Sequence, residues 1–401
     1  MTRNVNDIHS YKTRLACVRK SVKELETSET NKKLVSKFIT KCINKELKPS
    51  TITGYSNILI RMIRRLKEIG YDGDLDKIDI DTFEELVAYL HECNLSKGEI
   101  RNHKKVTRKF YQVISQDKND IPSWVLDIKL GNIITNIQPN DILNSEEINN
   151  ILQKASSPRN KAMIAVLLDG GVRVGALGSF KIKNLVDNGY AKSLHFSSES
   201  ECKKTDEVRE IPLTWSIAYL DQWLVFHPKR NDPESPLFVT ADKNSEALSY
   251  NAIRVILKKE ARNAGIVKRV NPHLFRHTAI TNWILDGLTE QQIKHRAAWS
   301  RGSIQLFKIY GNFTSGAMNK SIYQKYGIAT KKEDSSILKK CPRCGSLLQS
   351  SELLCVKCGL PMSLKAYDLK DDLKPYEKNI PEFLELIINN KVINEIVNAQ
   401  C

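Results

Sequence analysis

The chain has 401 residues, of which 41% are hydrophobic and 27% charged, so it can bury two or three domain cores and is not a disordered polymer. Lys and Arg number 62 against 46 Asp and Glu, and this net charge of +16 predicts a polyanionic partner, nucleic acid above all. The longest apolar run, Ala162 to Leu168, is too short to span a bilayer, and the start lacks a secretory pattern; we therefore expect a cytoplasmic, nucleoid-associated protein and no membrane partner.

Residues 1–120 predict a helical domain. From about Ser28 to Gln116 the apolar residues recur every three to four positions in three stripes: Leu34, Phe38, Ile39 and Cys42; Ile52, Tyr55, Ile58, Leu59, Met62 and Leu66; Phe83, Leu86, Val87 and Leu90. Pro49 and Ser50 predict the start of one helix, with Ser50 as its N-cap, and Gly70 predicts where that helix stops.

Basic residues concentrate on these predicted helices. They form three clusters: Lys12, Arg14, Arg19 and Lys20; Arg61, Arg64, Arg65 and Lys67; Arg101, Lys104, Lys105, Arg108 and Lys109. Each cluster alone is compatible with a solvated helix face, but three within one small domain favour a surface that follows DNA phosphates. The residues we expect to contact DNA are Arg61, Arg64, Arg65, Lys104, Lys105 and Arg108.

Two prolines and a polar stretch predict a linker over residues 121–141, followed by a second domain over residues 142–330. Asn144 and Ser157-Pro158 each predict a helix start. Alternating residues from about 184 to 213 predict a small antiparallel hairpin or sheet, and helical periodicity then returns. The predicted fold class is therefore mainly α with one small antiparallel β-sheet.

Several residues of this second domain suit phosphate chemistry. Arg173 follows an apolar helix through two glycines, and His273 and Arg276 lie three positions apart, so on a helix they share a face. A guanidinium is the natural bidentate partner of a phosphodiester, and an imidazole beside it can donate a hydrogen bond or move a proton. The hydroxyl of Tyr310 becomes a nucleophile only when a base or nearby cations activate it. Taken singly, each residue is compatible with a surface or packing role.

In this order along the chain, the residues resemble the tyrosine recombinase, or phage-type integrase, family. The resemblance is carried by Gly171-Val172-Arg173-Val174-Gly175-Ala176-Leu177, the predicted hairpin Lys204-Thr205-Asp206-Glu207-Val208-Arg209-Glu210-Ile211-Pro212-Leu213, the segment Pro272-His273-Leu274-Phe275-Arg276-His277-Thr278, and Trp299 with Tyr310. It covers roughly residues 30 to 330, and the helical domain resembles the family's core-binding domain. The stretch after Tyr310, with the cysteine-rich region beyond it, looks most like archaeal integrases.

The resemblance implies a site-specific DNA recombinase that cleaves and rejoins strands through a 3′-phosphotyrosyl intermediate, for integration or excision, without a cofactor in catalysis. The implied catalytic residues are Arg173 and Arg276 as the phosphate clamp, His273 as a phosphate and proton-transfer partner, Lys204 as the acid for the leaving 5′ oxygen, Trp299 as a donor, and Tyr310 as the nucleophile. The implied partners are double-stranded DNA at attachment sites, three further copies of the chain in a tetramer, and an accessory or directionality protein.

One departure from the family pattern favours a different function. The family usually has an acidic residue three positions after the first arginine, and Ala176 stands there, so the support of Arg173 must come from elsewhere or activity falls. This favours the alternative of a DNA-binding regulator or accessory factor that has lost strand cleavage. An enzyme like the type IB topoisomerases shares the chemistry but forms no recombinant junctions.

Two assignments within the resemblance have alternatives. The spacing from Trp299 to Tyr310 is longer than the commonest family pattern, and Tyr323 and Tyr326 follow closely as other candidate nucleophiles. In the hairpin, Lys203 is the alternative to Lys204.

Four of the nine cysteines form two C-x-x-C-G pairs: Cys341 with Cys344, and Cys355 with Cys358. Four thiolates at this spacing predict a closed, tetrahedral structural zinc site in a ribbon over residues 338–362, rather than a redox pair. Residues 363–401 predict an apolar helical tail that packs on its own chain or on a neighbouring protomer.

Overall fold

The computed structural model describes residues 9–115, 117–132, 137, 139–188, 191–196, 210–306, 309–310, 319, 323 and 326. This part of the chain forms two compact units, divided between residues 135 and 136, inside the linker that the sequence predicts. Each unit has an apolar core of its own. None of the described helices is long and apolar enough to cross a membrane.

The first unit is helical, as its apolar stripes predict. Its described helices are α1 (Tyr11–Lys23), α2 (Glu29–Asn44), α3 (Pro49–Glu68), α4 (Ile80–Glu92), α5 (Lys97–Ile114) and α6 (Ser123–Asp127). The stripes meet in one core, where Phe38, Leu59 and Leu86 are fully buried. The hydroxyl of Ser28 caps α2 by accepting from the backbone N–H of Asn31 at 3.1 Å.

Helix α3 begins two residues earlier than a Ser50 N-cap predicts. Its N-cap is Lys48, whose side chain does not cap the helix, and Pro49 occupies the first turn. Proline supplies a helical φ and has no N–H that needs a partner, so the helix starts without a capping side chain. Ser50 therefore lies inside α3, and its prediction as the N-cap is wrong.

The first part of the predicted linker folds onto the helical core. Helix α6 buries Val125, and Ile128 just after it is buried as well. The ring of Trp124 packs against Phe83 with a centroid distance of 5.1 Å. Burial of these apolar side chains stabilises the packed segment relative to a solvated linker.

The second unit surrounds a central helix that is apolar on all sides. Its described helices are α7 (Ser145–Lys154), α8 (Pro158–Gly170), α9 (Val174–Ser179), α10 (Ile217–Val225), α11 (Tyr250–Asn263), α12 (Pro272–Leu285) and α13 (Glu290–Arg296). The apolar run Ala162 to Leu168 lies in α8, which packs against α10 and α12 and is buried throughout that run. The predicted caps are confirmed: Asn144 forms a capping box with Glu147.

A three-stranded antiparallel sheet lies beside these helices in the order β1 (Leu185–Asp187), β2 (Lys192–His195) and β3 (Glu210–Pro212). The β2–β3 register pairs Leu194 with Ile211, and both side chains are buried. This confirms the predicted antiparallel pairing. The turn between β2 and β3, which contains Lys203 and Lys204, lies outside the described residues.

Gly171 ends α8 in a left-handed conformation and lies tightly against a tryptophan. Its φ is +55°, and a Cβ placed on it would lie 2.5 Å from Cη2 of Trp283. Gly265 has a φ of +77°, but nothing lies within 4 Å of the corresponding position. A substitution at Gly265 would therefore meet backbone strain alone, whereas one at Gly171 would also meet a steric clash with Trp283.

We expect Gly265→Ala to lower the free energy of unfolding by about 1 kcal/mol, the strain of a left-handed alanine, and Gly171→Ala to lower it by roughly 2 to 4 kcal/mol, because overpacking adds to that strain. Urea unfolding of the two variants measures the difference. Equal losses would show that Trp283 does not constrain the end of α8.

Candidate active site

Local sequence fixes how α12 begins. Pro272 occupies its first turn, and Oδ1 of Asn271 accepts hydrogen bonds from the backbone N–H groups of His273 and Leu274, at 2.9 Å and 3.1 Å. This cap sets which face each side chain of α12 takes. Leu274 turns into the core, His273 is exposed at the helix start, and Arg276 is buried with 7% of its surface exposed.

The guanidinium of Arg276 is held by two carbonyl groups. Its Nη1 donates to the carbonyl of Gly171 and its Nη2 to the carbonyl of Ala297, both at 2.6 Å. Gly171 is the C-cap of α8 and Ala297 is the C-cap of α13. Carbonyls at helix C-termini lack partners within the helix and carry partial negative charge, so both suit a cation.

In the described part of the chain, the charge of Arg276 has no carboxylate counterion. Burial, and then the charge of Arg173, lower the pKa of Arg276 to about 9. Among the residues that the structure describes, no carboxylate oxygen lies within 4.0 Å of its guanidinium. Arg173, the N-cap of α9, adds a second cation to this region. Two arginines, one of them buried and hydrogen-bonded to neutral carbonyls, favour the binding of an anion.

Tyr310 lies next to this cation and is bonded to a second histidine. Its hydroxyl is 2.6 Å from Nδ1 of His277, and the side chain is 1% exposed. Burial raises the pKa of Tyr310, while Arg276 acts in the opposite direction. Burial, followed by the charges of His273 and Arg276, lowers the pKa of His277 to about 4, so its imidazole is neutral at pH 7. In the Nε2–H tautomer the phenol donates to Nδ1.

Aromatic contacts complete the cluster. The guanidinium carbon of Arg276 lies 5.7 Å from the ring centroid of Trp299, whose ring is 6.3 Å from that of Tyr310. The rings of His273 and His277 are also 6.3 Å apart. The structure thus brings Arg276, Trp299 and Tyr310 into one cluster, with His273 at its exposed edge.

Of the other residues predicted from the sequence, the structure describes Tyr323 and Tyr326 but not Lys204 or the ribbon cysteines. Tyr323 and Tyr326 are 46% and 78% exposed. Lys204 and the four ribbon cysteines, Cys341, Cys344, Cys355 and Cys358, lie outside the described residues. Among the described residues, no group of three or more His, Cys, Asp or Glu side chains is placed to hold a metal ion.

His277 is the residue that sequence reasoning missed. It lies four positions after His273 and directly after Arg276, so helical spacing places it on the same side of α12 as His273. That spacing was the available signal. The spacing does not show that His277 contacts Tyr310, which lies more than thirty positions later in the chain.

Basic residues of the helical unit line up along α3 and α5. Arg61 pairs with Glu99 at 3.3 Å, and Nη1 of Arg65 donates to Nε2 of the buried His103 at 2.7 Å. The ammonium of Lys105 lies 5.7 Å from the ring centroid of Tyr55. These contacts place Arg61, Arg65 and Lys105 where α3 and α5 meet.

Comparison with known proteins agrees with this chemistry. Residues 141–314 match the model of the phage integrase family. The chain is 24% identical over 293 residues to the tyrosine recombinase XerD of Oceanobacillus iheyensis, covering 71% of this chain and 94% of XerD. It is 21% identical over 253 residues to XerC of Haemophilus ducreyi, covering 62% of this chain and 79% of XerC.

Solved structures share the fold. The site-specific recombinase XerH, in a post-cleavage complex with a palindromic difH substrate, superposes with a TM-score of 0.53 at 17% identity, over 81% of this chain and 98% of XerH. A lambda integrase dimer bound to a COC′ core site gives a TM-score of 0.54 at 14% identity, over 70% of this chain and 76% of that chain. The predicted mainly α fold with a small antiparallel sheet is confirmed. Residues 141–314 thus resemble the phage integrase family, and the relatives that match most of the chain are tyrosine recombinases.

Proposed function

We propose that this protein is a site-specific DNA recombinase that cleaves and rejoins strands through a 3′-phosphotyrosyl intermediate, for integration or excision of DNA. The observation that carries the proposal is the buried guanidinium of Arg276, which has neutral carbonyl partners, a second arginine nearby and the hydroxyl of Tyr310 beside it. A phosphodiester supplies the missing negative charge and presents its phosphorus to the phenol.

The residues around this anion site have complementary roles in the proposed reaction. Arg173 and Arg276 neutralise the charge that builds on the phosphoryl oxygens. His277 accepts the phenolic hydrogen bond while Tyr310 lies in its pocket, where a pKa of about 4 keeps the imidazole neutral. Once Tyr310 has left the pocket, its proton passes to His273, the proton-transfer partner that the resemblance implies, as the phenolic oxygen attacks. Trp299 can donate a hydrogen bond to a phosphate oxygen but cannot transfer a proton, because an indole nitrogen is a donor only.

The remaining roles follow the family resemblance. His273, exposed at the start of α12, is accessible to DNA and donates to the same phosphate. Lys204, on the turn between β2 and β3, protonates the 5′ oxygen that leaves when the P–O bond breaks. The energy of that bond is retained in the phosphotyrosyl ester, so rejoining by the 5′ hydroxyl needs no ATP.

The burial of Tyr310 supports a step before chemistry. At 1% exposure the hydroxyl cannot reach a phosphorus atom on a DNA duplex. We infer that binding of the target site draws Tyr310 out of its pocket and toward the phosphate held by Arg276. Tyr323 and Tyr326, which are exposed, have no comparable contact with a described cation, and Tyr310 therefore remains the proposed nucleophile.

DNA affinity is assigned in this proposal to the surface of α3 and α5. Its residues are Arg61, Arg64, Arg65, Lys104, Lys105 and Arg108. Contacts of this kind give affinity that falls with salt, while a few base contacts and DNA shape select the site. The proposed assembly is a tetramer on two duplexes, in the cytoplasm, with an accessory or directionality protein as a further partner.

A structural zinc ion is proposed for the cysteine-rich segment. Cys341, Cys344, Cys355 and Cys358 fit the ion by donor chemistry, since four thiolates in two C-x-x-C pairs satisfy its tetrahedral preference. When bound, the ion stabilises the small ribbon and leaves no open position for substrate. The ribbon and the resemblance to archaeal integrases both depend on residues outside the described part of the chain.

Replacing the nucleophile tests the proposed function. We expect Tyr310→Phe to bind DNA as the wild type does but to form no covalent adduct, and Tyr326→Phe to form adduct normally. The substrate is a supercoiled plasmid library with randomised inserts, incubated in EDTA, quenched in detergent and assayed for protein on 3′ DNA ends. Adduct in Tyr310→Phe would move the nucleophile to Tyr323 or Tyr326. Tight DNA binding by a wild type that forms no adduct would favour a DNA-binding regulator.

The bond between His277 and Tyr310 has a measurable energy. We expect His277→Leu to lower the free energy of unfolding by about 1 to 3 kcal/mol, because the buried phenol loses its hydrogen-bond partner. In a Tyr310→Phe background the loss should largely disappear, which a double-mutant cycle measures by urea unfolding. His273→Leu, at an exposed position one turn away, is the control and should change stability little. Additive losses would mean that the two side chains are not coupled.

The zinc proposal predicts about one zinc ion per chain by elemental mass spectrometry. The double variant Cys344→Ser, Cys358→Ser should lose the metal, because two of its four ligands are gone. Cys93→Ser removes an exposed free cysteine of the helical unit and should keep it. A wild type without zinc, or a double variant with it, would refute the site.

A further inference from the structure

A buried ion pair joins α8 to α13 close to the candidate site. The Nη2 atom of Arg296 donates to Oδ1 of Asp169 at 2.9 Å and to the Asp169 carbonyl at 3.1 Å. The side chains of Asp169 and Arg296 are 1% and 12% exposed. A charge pair removed from water to this degree is costly unless its geometry is well satisfied.

The carboxylate is well satisfied. Besides Arg296, it accepts hydrogen bonds from the backbone N–H and hydroxyl groups of Thr214, at 2.6 Å and 2.5 Å, and from those of Ser216, at 3.2 Å and 2.7 Å. Thr214 and Ser216 lie in the loop that follows β3. Asp169 therefore gathers the end of α8, this loop and α13 at one point.

The two ends of the ion pair lie beside the two carbonyls that hold Arg276. Asp169 is two residues before Gly171, and Arg296 directly precedes Ala297. Arg276 donates to the carbonyl of Gly171 and to that of Ala297, so its guanidinium bridges the same two helix ends that the ion pair ties together. A change in the spacing of these ends moves both acceptors of Arg276 at once.

Trp283 fills the space between the pair and the clamp. The guanidinium carbon of Arg296 lies 4.6 Å from its ring centroid, and its ring edge approaches Gly171 so closely that a Cβ would collide with it. Arg296 is thus packed as well as bonded, which limits the positions it can take.

The ion pair supplies a buried acidic residue near the site, although position 176 does not. At position 176, where the family resemblance leads us to expect an acidic residue that supports the first arginine, the chain has an alanine that is 3% exposed and packed in the apolar core. Asp169 supplies a buried acid from the preceding helix instead, and it acts on the helix ends that hold the second arginine.

We propose that Asp169 and Arg296 are positioning residues for Arg276: their ion pair fixes the ends of α8 and α13 at the spacing that aims the Arg276 guanidinium at the scissile phosphate. The inference rests on the proposed function for the identity of the anion. Neither residue touches the phosphate, so both act through Arg276.

The test compares Arg296→Met with Arg159→Met in the full-length protein. Methionine keeps much of the length of the arginine stem without its charge, and four of the five hydrogen-bond donors to the Asp169 carboxylate remain. Arg159 is a matched control. It lies near the start of α8, the helix that carries Asp169, and about 15 Å from Asp169 along the helix axis. Like Arg296 it donates to a backbone carbonyl, that of Val239, at 2.8 Å.

We expect Arg296→Met to slow adduct formation on the randomised plasmid library by roughly 10-fold to 100-fold, the effect of a small misplacement of a catalytic group. Its affinity for the same DNA should stay within about threefold, since phosphate contacts elsewhere dominate binding. Arg296→Lys should recover part of the rate. In an Arg276→Lys background the Arg296→Met change should have little further effect. Equal rates for Arg296→Met and Arg159→Met, or additive effects with Arg276→Lys, would overturn the inference.

A second measurement separates this inference from the proposed function. Nitrogen-15 spectra of the arginine side chains report the guanidinium of Arg276, identified by its loss in Arg276→Lys. We expect its signals to shift and its protons to exchange faster with water in Arg296→Met than in Arg159→Met. An unchanged Arg276 signal refutes the positioning role even if the wild type cleaves DNA. A wild type that forms no adduct refutes the proposed function, while the spectra still decide whether the pair positions Arg276.

Discussion

The arrangement of the second unit depends on one buried cation held by the C-terminal ends of two helices. Arg276 donates hydrogen bonds to Gly171 and Ala297, the C-caps of α8 and α13, whose carbonyls carry partial but not full negative charge. A carboxylate in their place would neutralise the guanidinium and compete with a phosphate. Neutral acceptors orient the cation and leave its charge available, so that a bound anion offsets part of the cost of burying it.

The fold was largely predictable because its elements have strong local signals. The capping box of Asn144 acts over a few residues, and the antiparallel pairing of β2 with β3 joins segments close in sequence; both are found in the structure. The start of α3 was misplaced at Ser50 because two local signals, a proline and a serine, competed at adjacent positions. Helix α6 was not predicted because it is stabilised by the packing of Trp124 against Phe83, a long-range contact that sequence spacing does not reveal.

The candidate site was predictable as a set of residue types but not as a set of contacts. The motif around Arg276 indicates phosphate chemistry, yet the partner of Tyr310 is His277 rather than a residue assigned a role from the sequence. Long-range pairs such as Asp169 with Arg296 leave no local pattern. The same holds for the basic surface, where Glu99 pairs with Arg61 and so ties down a cation that the sequence shows only as one of a cluster.

The enclosed position of Tyr310 bears on how the protein behaves among the many DNA sequences that are not its target. Leaving the pocket breaks the bond to His277 and exposes apolar surface, at a cost of about 2 to 3 kcal/mol. At that cost between about one molecule in thirty and one in a hundred and fifty carries an accessible nucleophile before it binds. During transient encounters with other DNA sequences, the nucleophile is therefore inaccessible in most molecules. Selectivity depends partly on the binding free energy that a correct site supplies to expose the phenol.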